Sequence, residues 1–301
     1  MMRTHLGRLL ALLAVTVPSR AATPIDIPGF MAIPRPVPTE SIRYGAAAVQ
    51  AIDVFLPARR RARMPVAVLV HGGCWSSRTG AREQLRHLGA DLAARGIAAW
   101  SIGYRRANEE GGGYPGTYQD VATAIDRLRN EAPRLGLDLS RVVLVGHSAG
   151  GHLALWAAAR DRLPASSVLH VDDPFVPREV VSIAGIGDLE AFLPKVPGIC
   201  GQDVADRLVG VASPRRADVY SDTSPAALPA RGARVTMLSG VLDRLVPPHV
   251  AHDYAQAVRG QVDVERVEVR DAGHFDLVAQ GEAWREVRRY VERALGAARA
   301  L

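Results

Sequence analysis

The sequence is poor in several features, and each shortage excludes a class of protein. It holds only two cysteines in 301 residues, which excludes a scaffold built on several disulfide bonds. We expect these two, Cys74 and Cys200, to be free buried thiols, although an oxidising compartment would permit a bond between them. No Cys/His cluster has the spacing of a zinc site, and neither Gly-x-Gly-x-x-Gly nor a phosphate-binding loop occurs. We therefore expect no metal and no cofactor.

Positive charge exceeds negative charge, but it is not gathered into a binding surface. The formal net charge is +6 and the isoelectric point is near 9.8. The basic residues are spread along the chain, and the one cluster, Arg59 to Arg61 with Arg63, falls in a predicted surface loop. A solvated turn explains such a cluster better than a phosphate-binding patch does. We therefore expect no nucleic-acid partner.

The N-terminus, MMRTHLGRLLALLAVTVPSRAATP, has the order of a secretory signal peptide. Arg3 and Arg8 precede a nine-residue apolar run, which is too short to span a bilayer, and a small-residue site follows. We expect cleavage after Ala21 to remove residues 1–21 and the protein to be exported, either periplasmic or secreted. No cysteine follows the apolar run, so we expect no stable membrane anchor. An organelle transit peptide is the alternative, because no acidic residue precedes Asp26.

The rest of the chain alternates strand and helix patterns. Residues 22–40 are proline-rich and predict an extended N-terminal arm over the surface. Residues 41–301 predict one α/β domain, because continuous apolar strands alternate with helices, as in a mostly parallel, twisted sheet covered on both faces. Within it we predict a two-stranded hairpin over 44–56 and a helix over 118–131. Weak periodicity over 188–224 predicts a small lid-like insertion near the functional site.

One glycine-rich turn joins a strand to a helix and presents a serine. In VVLVGHSAGGHLALWAA, Val142 to Val145 predict a buried strand, and the helical pattern is clear from Leu153. Gly-His-Ser-Ala-Gly lies between them, with Ser148 at its centre. The glycines permit a sharp turn, and the helix N-terminus beside it favours negative charge. Ser148 is therefore the candidate nucleophile, and the alternative is a serine that only caps the helix.

A nucleophilic serine needs a base and a carboxylate that orients this base. Of the nine histidines, His274 stands in a loop directly after the last predicted strand, at the same carboxyl edge of the sheet as Ser148. Asp243 follows the preceding predicted strand and reaches the same edge. Asp188, which follows an earlier strand, is the alternative acid, unless it only caps a helix. We favour Asp243.

The segment HGGCW, residues 71–75, follows another buried strand and is the candidate oxyanion loop. Its two glycines leave backbone N–H groups free to face the oxygen of an incoming carbonyl group. The alternative is a tight turn without a function. The three other candidate parts at the same sheet edge favour the oxyanion loop.

The order Ser148, Asp243, His274, with the Gly-x-Ser-x-Gly turn and the His-Gly-Gly loop, resembles the α/β-hydrolase fold. Within it, HGGCW is similar to the His-Gly-Gly-x-Trp motif of hormone-sensitive-lipase-like, kynurenine-formamidase-like and feruloyl-esterase-like enzymes. The segments SIGYRRANEEGGGYPGTYQDV and GHFDLV are similar to two further motifs of these enzymes. The resemblance runs from about residue 41 to the C-terminus.

This resemblance implies roles for further residues. The oxyanion donors would be the backbone N–H groups of Gly73, Cys74 and Ala149. Trp75 would line the substrate pocket, as would His147 beside the serine. Cys74 stands where the lipase-like branch has a third glycine, which favours the formamidase or feruloyl-esterase-like branch.

These features together predict a serine hydrolase that cleaves carboxylic esters of short acyl or aryl-acyl groups through an acyl-enzyme. Its partner would be a small-molecule ester, and the sequence indicates no oligomeric state. The first alternative is an arylformamidase that hydrolyses amides of the N-formylkynurenine type. A non-catalytic binding protein with the same fold is the second alternative, and the presence of every triad residue disfavours it.

Overall fold

One mixed sheet of eight strands runs through the part of the protein that the structure describes. The computed structural model describes residues 23–201 and 203–297, so the predicted signal segment 1–21 lies outside the described residues. In spatial order the strands are β1-β2-β4-β3-β5-β6-β7-β8. Their bounds are β1 Glu40–Arg43, β2 Ala51–Phe55, β3 Met64–Val70, β4 Ala98–Ile102, β5 Leu137–His147, β6 Glu179–Ile183, β7 Arg234–Gly240 and β8 Asp263–Val269. The β1–β2 and β2–β4 pairs are antiparallel, and all the others are parallel.

Helices cover the sheet. Strands β2, β4 and β6 are buried along their whole length, and because successive side chains of a strand point to opposite faces, both faces are covered. The helices are α1 Ile27–Met31, α2 Arg86–Ala94, α3 Gly116–Asp126, α4 Leu128–Leu135, α5 Ala149–Ala157, α6 Leu189–Phe192, α7 Val196–Cys200, α8 Val204–Val209, α9 Pro248–Ala257 and α10 Glu282–Ala297. Within the described ranges, no helix has the length and hydropathy needed to cross a bilayer. The predicted α/β class with a mostly parallel sheet is confirmed.

The parallel strands bring the predicted site residues to one edge. Strand β3 ends at the loop 71–75, and β5 ends at the residue before Ser148. Strands β7 and β8 lead into the loops that carry Asp243 and His274. Because parallel strands end at the same edge of a sheet, four chain segments that are distant in sequence meet there.

Two predicted elements differ from the structure. The hairpin predicted over 44–56 is displaced, because β1 already ends at Arg43 and a turn follows, in which the Gln50 side chain accepts the backbone N–H of Ala47 at 2.9 Å. The helix predicted over 118–131 is two helices, α3 and α4. Gly136, in the left-handed region, ends the second of them. Apolar periodicity does not reveal such turns, since it reports only which face of an element is buried.

The N-terminal arm is not extended throughout, which corrects the prediction. Helix α1 forms within it, where the Asp26 side chain accepts the backbone N–H of Gly29 at 2.8 Å and Pro28 occupies the first turn. The side chain of Phe30 is buried, with 1% of its surface exposed. The arm therefore lies at the surface but is anchored to the domain through Phe30.

The expectation of two free thiols is wrong. Cys74 and Cys200 form a disulfide bond, and their Cα atoms lie 5.4 Å apart. Cys74 belongs to the oxyanion loop, and Cys200 ends α7, one of three short helices that the insertion contributes between β6 and β7. The bond is the alternative that the sequence did not favour, because 126 residues separate the two cysteines and only the fold brings them together.

Candidate active site

Ser148 occupies the turn between β5 and α5. Its backbone lies in the left-handed region, with φ of 54°, and its N–H donates to the carbonyl of Ile183 at 2.8 Å. The glycines on either side make this turn possible. A Cβ atom at Gly146 would lie 2.1 Å from the carbonyl oxygen of Gly150, and one at Gly150 would lie 2.1 Å from that of Val70. The turn leaves the serine half-buried on the wall of a cavity.

His274 and Asp243 form a buried pair beside this serine. The Nδ1 atom of His274 lies 2.7 Å from Oδ2 of Asp243, and the aspartate side chain is fully buried. The other carboxylate oxygen accepts the backbone N–H groups of Leu245 and Val246 at 2.8 and 2.9 Å. Because a carboxylate only accepts, the imidazole proton resides on Nδ1, and Nε2 keeps a free lone pair. His274 and Ser148 line the same cavity.

The alternative acid, Asp188, has a different environment. It is the N-cap residue of α6, and its side chain accepts the backbone N–H of Ala191 at 3.1 Å. The structure thus gives Asp188 the helix-capping position that was the alternative interpretation of it, and it pairs Asp243 with the histidine.

The oxyanion loop has an unusual backbone. Gly73, Cys74 and Trp75 have consecutive positive φ angles of 101°, 56° and 50°. Within the described residues, no acceptor bonds the N–H groups of Gly73 and Cys74. Ala149 begins α5, so its N–H has no partner inside that helix. All four of these residues line the cavity with Ser148, and three free N–H groups can therefore meet an oxyanion there.

A buried hydrogen-bond chain that the sequence did not predict holds Trp75. The indole N–H of Trp75 donates to Nδ1 of His152 at 3.1 Å, and Nε2 of His152 donates to the carbonyl of Thr223 at 2.9 Å. Burial lowers the pKa of His152 to about 4, so this ring is neutral and can accept at Nδ1. Only 1% of Trp75 is exposed. The tryptophan lines the cavity, and its hydrogen bond to His152 also anchors the candidate oxyanion loop.

The start of the oxyanion loop is held in a similar way. Tyr104 donates its hydroxyl to the carbonyl of His71 at 2.8 Å and stacks on the imidazole ring, with ring centres 4.3 Å apart. Asp120 accepts the backbone N–H, Nε and Nη2 of Arg105 at 2.7 to 2.9 Å. Burial lowers the pKa of His71 to about 3, which keeps the ring neutral. Tyr104 therefore supports the loop, and neither Tyr104 nor the Arg105–Asp120 pair lines the cavity.

His147 lies against the imidazole of His274. Their ring centres are 4.6 Å apart, and Nε2 of His147 donates to the backbone carbonyl of His274 at 3.1 Å. Burial, with a smaller contribution from His274, lowers the pKa of His147 well below its usual value. His147 lines the cavity, and as a neutral donor it also fixes the backbone of His274.

The cavity has a volume of about 580 Å³, in the range of small-molecule sites. Beyond the residues above, its apolar lining comes from the N-terminal arm, from the insertion and from the loops around His274 and Asp243. These lining residues are Ile27, Phe30, Met31, Ile186, Phe192, Ile199, Leu245, Val246 and Phe275. Within the described part of the chain, no group of three His, Cys, Asp or Glu side chains is arranged to hold a metal ion.

Several known proteins are similar to this chain in sequence. The model of the BD-FAE family matches residues 52–258. Esterase LipC of Mycobacterium tuberculosis is 31% identical over 290 residues, which cover 88% of this chain and 66% of LipC. Isoprenylcysteine alpha-carbonyl methylesterase of Arabidopsis thaliana is 34% identical over 121 residues, which cover 39% of this chain and 26% of that protein. The chain thus spans just under two thirds of the first relative and about a quarter of the second.

A solved structure has the same fold. Esterase B of Lactobacillus rhamnosis superimposes with a TM-score of 0.73 and 22% identity, covering 90% of each chain. This similarity confirms the α/β-hydrolase fold that the motifs predicted. Because the BD-FAE model matches more than half of the sequence, the chain belongs to the BD-FAE family.

Proposed function

We propose that the protein is a serine carboxylic-ester hydrolase. The observation that carries the proposal is the buried 2.7 Å hydrogen bond between His274 and Asp243, in a cavity that Ser148 also lines. The two relatives described above are esterases by name, and this supports the same reaction class. The sequence prediction is therefore retained as the function that the site fits best.

The geometry supports the following reaction. Nε2 of His274 takes the hydroxyl proton of Ser148 as Oγ attacks the ester carbonyl, and Asp243 keeps the imidazole in the required tautomer without being protonated. The negative charge on the carbonyl oxygen is stabilised by the N–H groups of Gly73, Cys74 and Ala149. The imidazolium then protonates the leaving alcohol as the C–O bond breaks, which leaves an acyl-enzyme. In the second half of the reaction, His274 takes a proton from a water molecule as this water attacks the acyl carbonyl. The bond to Ser148 Oγ then breaks, Oγ regains a proton from His274, and the carboxylic acid is released.

Among substrates, we propose short acyl esters, acetyl to butyryl, and aryl-acyl esters. The apolar cavity wall suits the hydrocarbon part of such esters. The alternative, hydrolysis of aryl formamides, is supported by Cys74 at the third position of the glycine motif. An exported enzyme would rarely meet a formamide of intracellular tryptophan breakdown, so esters are the favoured class.

A substrate panel with a nucleophile variant tests this proposal. We expect higher kcat/KM on p-nitrophenyl acetate and butyrate than on aryl formamides, with feruloyl esters as the aryl-acyl member. Ser148→Ala should abolish turnover of all of them, because it removes the attacking oxygen. Ser77→Ala is the matched control, since Ser77 lines the same cavity but is exposed and hydrogen-bonded to Asn108. Turnover by Ser148→Ala, or a tenfold preference for formamides, would contradict the proposal.

We also propose that the protein is exported after cleavage near Ala21. The signal pattern of residues 1–21 motivates this, and the Cys74–Cys200 disulfide supports it, because such bonds persist mainly in oxidising compartments. N-terminal sequencing of the protein from its native host should find a chain that begins near Ala22. An intact N-terminal methionine would contradict export and favour the formamidase alternative.

A further inference from the structure

The cavity exposes apolar side chains that the ester chemistry itself does not use. Among the described residues, nine large apolar side chains are exposed, and three of these line the cavity. They are Ile27 and Met31 on α1, with 55% and 52% of their surfaces exposed, and Ile199 on α7, with 39% exposed. Exposed apolar surface inside a binding cavity is surface that a bound apolar group can cover.

The N-terminal arm that carries Ile27 and Met31 is tied to the loop of the catalytic histidine. Asp276, two residues after His274, accepts the backbone N–H of Ile25 at 3.3 Å and that of Gly273 at 2.8 Å. Phe30 stacks on Phe275, with ring centres 5.0 Å apart and an interplanar angle of 22°. The start and the middle of the arm are therefore fixed to the segment that holds the base.

The end of the arm is fixed as well. Arg35 donates to the carbonyl of Phe30 and to Nδ1 of His87, both at 2.8 Å. Nε2 of His87 in turn donates to the carbonyl of Val278 at 2.6 Å. Contacts before, within and after α1 thus hold it as a wall of the cavity in the free protein, so substrate binding does not have to order it.

We propose that Ile27 and Met31 determine substrate specificity by contacting the far end of the ester's hydrocarbon group, so that hexanoyl and octanoyl esters are preferred over acetyl esters. This inference rests on the proposed esterase function, and it revises the acetyl-to-butyryl range given there, because it makes longer acyl groups the preferred ones. The ring of Phe275 lies between Phe30 and His274, and its centre is 5.0 Å from that of Phe30 and 5.1 Å from that of His274. On this geometry the methyl group of a bound acetyl ester would end before α1, whereas a chain of six to eight carbons would reach it.

A chain-length series tests the role of the two side chains. We would measure kcat/KM for p-nitrophenyl acetate, butyrate, hexanoate and octanoate with the wild type and with the double variant Ile27→Ala, Met31→Ala. Each methylene that is fully buried on binding raises kcat/KM about fourfold, so the double variant should lower the octanoate-to-acetate ratio at least tenfold. Met31→Leu should retain most of the preference, because it retains an apolar contact of similar size.

Val37→Ala is the matched control. Val37 lies on the same arm, is 86% exposed and does not line the cavity, so its loss should leave the ratio unchanged. Ethyl and octyl butyrates, used in parallel, separate acyl-side from alcohol-side selection, and a loss of selectivity confined to this second series would overturn the inference. An unchanged ratio in both series, an equal loss on acetate and octanoate, or a wild type without any preference for length would overturn it. Absence of Ser148-dependent ester hydrolysis would instead contradict the proposed function.

Discussion

At the scale of single residues, two aspartates that follow strands of the same sheet have different tasks. Asp243→Asn should lower kcat by about 10⁴, because an amide cannot hold His274 in the tautomer that leaves Nε2 free. Asp188→Asn should change kcat little, since asparagine caps a helix about as well as aspartate does. Steady-state kinetics on a p-nitrophenyl ester would measure both. The reverse pattern would show that the carboxylate is assigned to the wrong strand.

The sequence could indicate Ser148, Asp243 and His274 because each follows a strand of a parallel sheet, and such positions share one edge. It could not indicate His152. That residue stands four positions after Ser148 on α5, but its role depends on Trp75 and Thr223, which are 77 and 71 residues away. A hydrogen-bond chain between distant segments leaves no periodic trace in the sequence.

At the scale of elements, the disulfide bond links the oxyanion loop to the insertion. Cys200→Ser should lower kcat about tenfold. The left-handed backbone of Cys74 costs on the order of 1–3 kcal/mol, and the variant no longer has the disulfide bond that holds Cys74 in this conformation. The free energy of unfolding should fall by about 2–4 kcal/mol. Kinetics and urea denaturation measure the two effects, and the wild type under reducing conditions should behave like the variant.

A second substitution in the insertion provides the control for this prediction. Val211→Ser changes a side chain that is 88% exposed and does not line the cavity, so it should alter neither kcat nor stability. If Cys200→Ser keeps the kcat and the unfolding free energy of the wild type, the bond does not restrain the oxyanion loop.

The elements themselves were predictable to different degrees. The alternation of strands and helices, the turn at Ser148 and the irregular insertion follow from local patterns of apolar and glycine residues. Helix α1 was missed because its anchors, Phe275 and Asp276, lie about 250 residues further along the chain. The disulfide was missed for the same reason. What the sequence could not provide is in each case a contact between segments that only the folded sheet brings together.

At the scale of the whole molecule, four buried histidines make the fold sensitive to acid. Burial lowers the pKa of His71 to about 3, those of His87 and His152 to about 4, and that of His147 well below its usual value of 6.5. In the unfolded chain these groups take up protons as the pH falls through about 6.5. The folded protein does not, since each ring is held neutral by burial. The unfolded state therefore binds more protons than the folded state between about pH 6.5 and 4.

The free energy of unfolding should consequently rise as the pH is raised from about 4 to 6.5, and it should fall as the pH is lowered through the same range. Each histidine contributes up to about 1.4 kcal/mol per pH unit, so lowering the pH from 7 to 5 should remove several kcal/mol. The fold also lowers the pKa of carboxylates such as Asp91 and Asp138. Because their ordinary pKa is 3.8, they change the free energy of unfolding mainly below this pH range. Urea denaturation at pH 7, 6 and 5 would give the change in the free energy of unfolding per pH unit. His87→Gln should reduce this change by up to about 1.4 kcal/mol per pH unit, which corresponds to one proton. A free energy of unfolding that stays constant from pH 7 to 5 would mean that these rings are protonated in the folded protein, against the burial that the structure shows.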